Sequence, residues 1–154
     1  MIGLVLVHSN AFAAEPITDE QIRLVIKETD AAANKRDVQG IGDYLARDFY
    51  KYIEIQSDAF SETARIDKEQ YLALIEKGWN TIDAYSYERL DLVINIAPDG
   101  LSGQSNSTVV ETLTVDGKEM VSKVREYAYY MVEEGRPVIF NIESHTLVGD
   151  TTPE

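Results

Sequence analysis

The stretch EMVSKVREYAYYMVEEGRPVIFNIESHTLVG, from Glu119 to Gly149, predicts two long β-strands joined at Glu134-Gly135. Both arms are rich in β-branched and aromatic residues, and a two-residue loop ending in glycine is a strong hairpin signal. If these two residues form the loop, Glu133 lies opposite Arg136, and the other pairs follow by counting. The predicted pairs are Tyr130 with Ile139, Ala128 with Asn141, Glu126 with Glu143, and Val124 with His145.

Side chains alternate between the two faces of a strand, so this register divides the hairpin into a polar face and an aromatic face. One face is predicted to carry Glu126, Asn141, Glu143 and His145. The opposite face is predicted to carry Tyr127, Tyr129, Phe140 and Ile142.

Two Asp-Gly turns, at Asp99-Gly100 and Asp116-Gly117, connect further strands to this hairpin. They place Leu92 opposite Ser107, Leu90 opposite Val109, and Ser107 beside Glu126. The segment Ala84 to Ile96 is then predicted to turn its leucines and isoleucines inward and Tyr87, Arg89, Asp91 and Asn95 outward. With this register the face that carries Glu126, Asn141, Glu143 and His145 is the one that helices cover.

Three helices are predicted near the N-terminus from their capping residues. Thr18 with Gln21, and Asp67 with Gln70, have the spacing of capping boxes, and Asp37 can cap a short helix between them. That short helix is expected to turn Ile41 and Leu45 inward. The third helix is expected to bury Tyr71, Leu72, Ile75 and Trp79. A first strand runs from Phe49 to Gln56, and the polar segment from Ser57 to Arg65 is a connection.

The sequence therefore predicts an α+β fold in which a curved, mixed, mostly antiparallel sheet wraps around three N-terminal helices. A chain of 154 residues without cysteine forms one domain that is stabilised by its core and not by disulfides.

The N-terminal residues 1–13, MIGLVLVHSNAFA, are predicted to be a signal peptide, and residues 14–154 the mature domain. The segment has no charged residue, and Ala11-Phe12-Ala13 is an A-x-A cleavage motif. The expected location is secreted or periplasmic. An apolar N-terminal arm or a frayed terminus is the alternative.

The net charge of -13 and the scattered basic residues argue against nucleic acid and anionic membranes as partners. No phosphate-binding glycine loop, dinucleotide fingerprint or nucleophile elbow is present, so no cofactor is predicted. The aromatic outer residues Tyr127, Tyr129, Phe140 and Ile142 instead predict a homodimer through that side of the sheet. The alternative is a scatter of exposed aromatic residues.

The order of three N-terminal helices, one early strand and a long meander resembles the nuclear transport factor 2-like superfamily, and within it the SnoaL-like domains. Asp48-Phe49-Tyr50 is similar to the entry into the first strand of such proteins, and the segment from Ile139 to His145 to their closing strand. The resemblance implies a cone-shaped fold, an internal pocket and a back-to-back dimer. Functions in this superfamily include cyclases, isomerases, dehydratases and binding modules.

The resemblance also limits the chemistry. Ketosteroid-isomerase-like members place a tyrosine on the first helix, and the segment Glu20 to Ala33 contains none. SnoaL-type cyclases use a pocket carboxylate beside a histidine, and Glu126 or Glu143 with His145 supplies those residue types.

Two glutamates opposite each other on a covered face predict a catalytic site. Their repulsion and burial are expected to raise the pKa of Glu126 or Glu143. With His145 and Asn141 the pair would suit enolisation or aldol chemistry on a carbonyl compound. Tyr130, Ser107 and Trp79 complete the predicted ligand site, with Asn141, for a small, mainly apolar molecule.

Other interpretations of these residues remain open. The carboxylates can lie solvated or paired with arginines at the open end of the cone, in a binding module without chemistry. A protein-interaction domain with a vestigial pocket is a third possibility. No metal site is predicted, although Glu126, Glu143 and His145 have the donor types of a divalent-ion site.

Overall fold

The computed structural model describes residues 15–56 and 61–151. Its elements in chain order are α1 Asp19–Lys35, α2 Val38–Gly42, β1 Leu45–Gln56, β2 Ser61–Asp67, α3 Lys68–Trp79, β3 Ala84–Ile96, β4 Ser102–Val115, β5 Lys118–Glu133 and β6 Arg136–Thr151. The predicted leader, residues 1–13, lies outside the described residues. No helix in the described ranges is long and apolar enough to cross a membrane.

The six strands form one sheet in the order β2-β1-β6-β5-β4-β3. Strand β1 runs parallel to β6, and all the other neighbours are antiparallel. We call the side of the sheet that the helices cover the inner face and the opposite side the outer face. The core lies between the helices and the inner face and includes the fully buried Ile22, Phe49 and Tyr130. The predicted α+β class and mixed, mostly antiparallel sheet are confirmed.

The helix starts agree with the capping residues. Both capping boxes form, at Thr18 with Gln21 and at Asp67 with Gln70, and the Asp37 side chain accepts from the backbone N–H of Gly40. Such caps satisfy backbone donors that the first helical turn leaves unpaired, which fixes where each helix begins.

Two elements differ from the prediction. The segment predicted to be a connection contains strand β2, which pairs with β1 from Tyr50–Asp67 to Gln56–Ser61. This strand is polar because it is an edge strand, so it lacked the apolar alternation of a half-buried strand. Leu45 begins β1 and does not belong to α2, although it is buried as expected.

The register of β3 on β4 is as predicted near the turn and shifts by one residue further away. Ile94 lies opposite Ser105, but Arg89, not Leu90, lies opposite Val109. The shift falls between Leu90 and Val93, where Asp91 has a φ of 54°, in the left-handed region. A bulge of one residue exchanges the faces of everything beyond it. Arg89 therefore faces inward, and Leu90 is 39% exposed.

A second bulge interrupts the β5–β6 hairpin. Glu133 with Arg136 and Tyr130 with Ile139 pair as predicted, but the next pair is Tyr129 with Asn141. The extra residue, Phe140, shifts the rest of β6 by one position. The pairs predicted for Ala128, Glu126 and Val124 are therefore wrong, because these residues lie opposite Ile142, Ser144 and Thr146.

This shift moves the predicted face residues of β6 to opposite sides of the sheet. Glu143 now pairs with Tyr127, and His145 with Arg125, so both belong to the outer face. Ile142 was predicted on the outer face, but it pairs with the buried Ala128 and is only 6% exposed. The pair Ser107–Glu126 on β4 and β5 is confirmed.

Candidate functional site

Arg89 organises the polar part of the inner face. It lies on β3 just beyond the bulge, and its guanidinium extends across β4 to β5. Its side chain is 10% exposed. Such a buried cation is stable only when carboxylates and other acceptors surround it.

The guanidinium contacts two carboxylates and two hydroxyl groups. Its Nη2 lies 2.9 Å from Asp30 Oδ1, and its Nε also donates to Asp30. Its Nη1 donates to Glu126 Oε1 at 2.9 Å and to Ser107 Oγ at 2.6 Å. Its Nη2 donates to the Tyr87 hydroxyl at 2.7 Å. Arg89 thus joins α1, β3, β4 and β5 through one planar group with five N–H donors.

The two carboxylates respond differently to this cation. Burial raises the pKa of Glu126, but the charges of Arg89 and Lys51 outweigh burial, so the net pKa lies below its usual value. Burial is the stronger effect at Asp30, and its pKa is raised although Arg89 opposes the shift. The rise in pKa predicted for one of two opposed glutamates is therefore not found at Glu126, because its partner is an arginine and not a second glutamate.

A cavity of about 90 Å³ lies between the helices and the inner face. One water needs about 10–15 Å³ on this kind of measure, so the cavity holds several waters or a small organic molecule. Most of its walls are apolar or aromatic, and its polar groups are clustered. Its lining comprises Ile26, Thr29, Asp30, Ala33, Ile41, Leu45, Tyr71, Ile75, Trp79, Tyr85, Tyr87, Arg89, Glu111, Glu126, Ala128, Tyr130, Ile139 and Ile142.

Tyrosine hydroxyls provide neutral hydrogen-bonding groups in the cavity. The Tyr85 hydroxyl donates to Glu111 Oε1 at 2.5 Å, and the Tyr130 hydroxyl lies 2.9 Å from Ser105 Oγ. Burial, with Glu111 next, raises the pKa of Tyr85, and burial raises the pKa of Tyr130. Burial and then Glu126 raise the pKa of Tyr87. All three remain protonated at physiological pH.

A second cation, Lys51, lies on the inner face beside the cavity. It is opposite Ile142 in the β1–β6 ladder, and its Nζ is 4.9 Å from the centroid of the Tyr71 ring. Desolvation lowers the pKa of Lys51, but Tyr71, Glu126 and Glu111 together raise it above its ordinary value. Lys51 is therefore an ammonium ion.

Four of the predicted site residues lie at this site. Glu126, Tyr130 and Trp79 line the cavity, and Ser107 accepts a hydrogen bond from Arg89, which also lines it. Asn141 does not line the cavity; its Nδ2 donates to the Tyr50 carbonyl oxygen at 3.3 Å. This amide joins β6 to β1, so the prediction of Asn141 as a ligand-binding residue has no support in its position.

Glu143 and His145 lie in a shallow depression of the outer face. His145 Nδ1 is 3.1 Å from Glu54 Oε2, and its ring makes an edge contact with Tyr127. The sheet separates both residues from Glu126. They can neither share a substrate nor share a metal ion with it. No group of three suitable metal ligands occurs within the part of the chain that the structure describes.

The sequence prediction missed Asp30, Lys51, Tyr87, Arg89 and Glu111. Arg89 and Tyr87 were assigned to the wrong face because the β3 bulge was not foreseen. Lys51 had a visible signal, since it interrupts the apolar stripe of Phe49, Ile53 and Ile55. A charged residue within such a stripe must find a partner in the interior.

The cavity wall supplies an ionised carboxylate, the Arg89 guanidinium and several neutral hydroxyl groups, and the Lys51 ammonium lies over Tyr71, one of the lining residues. Glu126 Oε1 accepts from Arg89, whereas Oε2 has no hydrogen bond from any described residue. A carboxylate with one anchored oxygen can accept a proton on the other. The site thus has the groups for binding and for proton transfer.

No protein-family model matches the sequence, and no curated protein matches it. Solved structures do match. A candidate scytalone dehydratase from Novosphingobium aromaticivorans has a TM-score of 0.71 at 10% identity, over 88% of this chain and 87% of that one. An uncharacterised protein with a cystatin-like fold from Caulobacter vibrioides has a TM-score of 0.67 at 15% identity, over 84% of this chain and 89% of that one.

A nuclear transport factor 2-like protein of unknown function from Pseudomonas putida has a TM-score of 0.66 at 18% identity, over 84% of this chain and 88% of that one. These values show a common fold with little common sequence. The chain therefore has the cystatin-like α+β fold of the nuclear transport factor 2-like proteins.

Proposed function

We propose that the protein binds a small carbonyl compound in its internal cavity and acts on it as an acid–base lyase or isomerase, with Glu126 as the base. The observation that carries this proposal is the position of Glu126. Its carboxylate is ionised, anchored through one oxygen, and placed in the wall of an otherwise largely apolar cavity.

The proposed reaction begins with removal of a proton from the carbon next to the carbonyl group. The proton moves to Glu126 Oε2, the C–H electron pair forms a C=C bond, and the carbonyl oxygen becomes negative. Glu126 then returns the proton to another carbon, which isomerises the compound, or gives it to a departing hydroxyl group, which eliminates water. Either sequence leaves Glu126 ionised and needs no other reactant.

The fold supports a function of this class without specifying it. Structures with the same fold include a candidate scytalone dehydratase and LinA, the latter with a TM-score of 0.69 at 13% identity. A shared fold is compatible with many functions, so the argument rests on the site. The tyrosines and Trp79 offer flat apolar surfaces, which favour a cyclic or aromatic ligand.

Hydrogen–deuterium exchange tests the proton transfer without knowledge of the natural substrate. Cyclohexanone is incubated with the protein in deuterated buffer, and NMR follows the loss of the protons next to its carbonyl group. We expect the wild type to accelerate this exchange. We expect Glu126→Gln to reduce the acceleration at least about 100-fold, the lower range for a general base.

Glu143→Gln is the matched control, because it makes the same chemical change on the outer face. It is expected to exchange at the wild-type rate. Equal loss in both variants, or no loss in Glu126→Gln, would contradict the role of Glu126. Circular dichroism of each variant separates loss of the base from loss of the fold.

A binding module without chemistry is the second candidate, and the lowered pKa of Glu126 favours it. A carboxylate that Arg89 stabilises is a weaker base than a free one. In that case cyclohexanone or phenol would quench the fluorescence of Trp79, the single tryptophan of the chain, while no exchange occurred.

We also propose that the protein is exported and that cleavage follows Ala13. The uncharged apolar segment and the Ala11-Phe12-Ala13 motif support this. Mass spectrometry of protein from the native host is expected to find a chain that begins at Ala14. An intact N-terminus in a cytosolic fraction would overturn the proposal.

A further inference from the structure

The two cations at the cavity, Arg89 and Lys51, differ in the groups that balance their positive charge. Arg89 contacts two carboxylates and two hydroxyl groups, as described above. For Lys51, no hydrogen bond and no ion pair is found within residues 15–56 and 61–151. Its contact is with the face of the Tyr71 ring.

A cation over an aromatic face is only partly compensated, because an ammonium group has three N–H donors and the ring satisfies none of them as a carboxylate would. Acids in the interior keep Lys51 charged without contacting it. The Lys51 ammonium therefore has donor capacity that the described residues do not use.

The sheet places Lys51 at a suitable distance from Glu126. Lys51 lies opposite Ile142 on β6, Ile142 lies opposite Ala128 on β5, and Glu126 follows two residues before Ala128 on the same face. Two strand spacings and two residues along a strand separate the two Cα atoms by roughly 12 Å. Both side chains belong to the inner face, and the Tyr71 ring on which the ammonium lies is part of the cavity wall, as is Glu126.

We propose that Lys51 binds the oxygen of the ligand that becomes negative when Glu126 removes a proton. This inference rests on the proposed function and assigns a second catalytic residue to it. The ligand then lies with its acidic carbon toward Glu126 and its oxygen toward Lys51. The ring of Tyr71 lies beneath the ammonium and fixes its position.

This geometry stabilises the enolate selectively. The attraction between an ammonium ion and a neutral carbonyl oxygen is weaker than its attraction to an oxyanion, so Lys51 favours the transition state over the bound substrate. No proton leaves Lys51. The charge that Glu126 loses on protonation reappears on the ligand oxygen, beside a cation already in place.

A phenolate is a stable mimic of a cyclic enolate, so 4-nitrophenol tests the assignment. Quenching of Trp79 reports its binding, and its visible absorbance reports whether the bound form is phenol or phenolate. We expect Lys51→Met to weaken binding of the phenolate at least about tenfold, which is one pKa unit for the bound phenol. Binding of the neutral phenol is expected to change less.

Lys51→Arg tests the charge with less change of volume, and it is expected to keep the preference for the phenolate. Lys51→Arg also keeps the proposal testable if Lys51→Met fails to fold. Lys77→Met, at an exposed position of α3, is the control and is expected to behave as the wild type.

The outcomes separate the two proposals. If the wild type and Lys51→Met bind the probe with the same ratio of phenolate to phenol, Lys51 does not hold the oxyanion, and the role of Glu126 is unaffected. If the wild type binds neither form, the cavity is not a ligand site for this class of compound, and both proposals are overturned.

Discussion

Arg89 Nη1 lies 2.9 Å from Glu126 Oε1, although a full strand, β4, separates the strands from which the two side chains come. Both side chains are about nine-tenths buried. Ser107 lies on this intervening strand, and its hydroxyl accepts a hydrogen bond from the same Nη1. This contact makes Glu126 an ionised group in the interior and fixes the orientation of its carboxylate.

Glu126→Gln is expected to destabilise the protein at neutral pH by about 1.5–3 kcal/mol, the range for a lost hydrogen bond to a charged group. The folded pKa of Glu126 is lowered, so its ionisation stabilises the fold at pH values above the unfolded pKa of about 4.3. This stabilisation disappears as the pH falls through the folded pKa. The difference between wild type and variant should therefore shrink on acidification.

Urea denaturation of both proteins from about pH 3 to about pH 8 measures this difference. Glu143→Gln, a half-buried position on the outer face, is the control and should show a smaller change. A variant that is more stable than the wild type at neutral pH would mean that Arg89 does not compensate for the burial of Glu126.

Much of the fold could be predicted because its signals are local. Capping boxes fix the starts of α1 and α3, and the two-residue turn at Glu134-Gly135 fixes the register of the pairs next to it. Both features depend on residues three or four positions apart. Neither requires knowledge of what lies across the core.

The two bulges could not be placed by counting from the turns, and they decide the site. In the sequence, a bulge is visible where the alternation of apolar and polar residues shifts by one position. In β3 the inward residues are Tyr85, Tyr87 and Arg89 before the bulge, whereas the partly buried Leu92, Ile94 and Ile96 follow it. An alternation that changes phase within one strand predicts a bulge at the change.

The same reasoning explains which site residues were predicted. No bulge separates Ser107 and Glu126 from the turn between β4 and β5, and none separates Tyr130 from the turn between β5 and β6. Glu143 and His145 lie beyond the bulge at Phe140, and Arg89 lies beyond the one at Asp91. Because β3 and β6 each contain one extra residue, Glu126 pairs with Arg89 and not with the predicted Glu143.

Asp91 is the next test, because its φ of 54° belongs to the left-handed region that β-branched residues avoid. We expect Asp91→Gly to be neutral or slightly stabilising. We expect Asp91→Val to lose about 1–3 kcal/mol through backbone strain. Thermal denaturation measures both. Equal stability of the two variants would mean that the bulge does not depend on this conformation.

We propose a homodimer through the outer face, where Tyr127, Tyr129 and Phe140 are half-buried and Met131 is exposed. Tyr129 and Phe140 pack against each other with ring centroids 6.2 Å apart. Tyr129→Glu is expected to shift sedimentation equilibrium from dimer to monomer, because it places a charge within an apolar contact.

Leu74→Glu is the control for this experiment, since Leu74 is 52% exposed on α3, on the other side of the sheet. It should leave the association unchanged. A wild type that is monomeric at micromolar concentration would remove the dimer proposal, as would a dimer that Tyr129→Glu leaves intact.

Arg89→Met is expected to change the sign of the contribution that Glu126 makes to the dependence of stability on pH. Burial is the largest influence on the pKa of both Asp30 and Glu126, and Arg89 is the main cation that opposes it. Without Arg89 both folded pKa values should lie above the unfolded ones. Stability is then lost as the pH rises above the unfolded pKa of about 4, and the loss levels off above the folded values.

At neutral pH the variant should lose about 3–5 kcal/mol, the usual effect of removing one partner from a buried ion pair. Arg23→Met is the matched control, because Arg23 pairs with Asp19 at the surface with both side chains more than half exposed. It is expected to change stability by less than about 1 kcal/mol. If Arg89→Met kept the wild-type dependence on pH, Lys51 and not Arg89 would be the cation that holds Glu126 ionised.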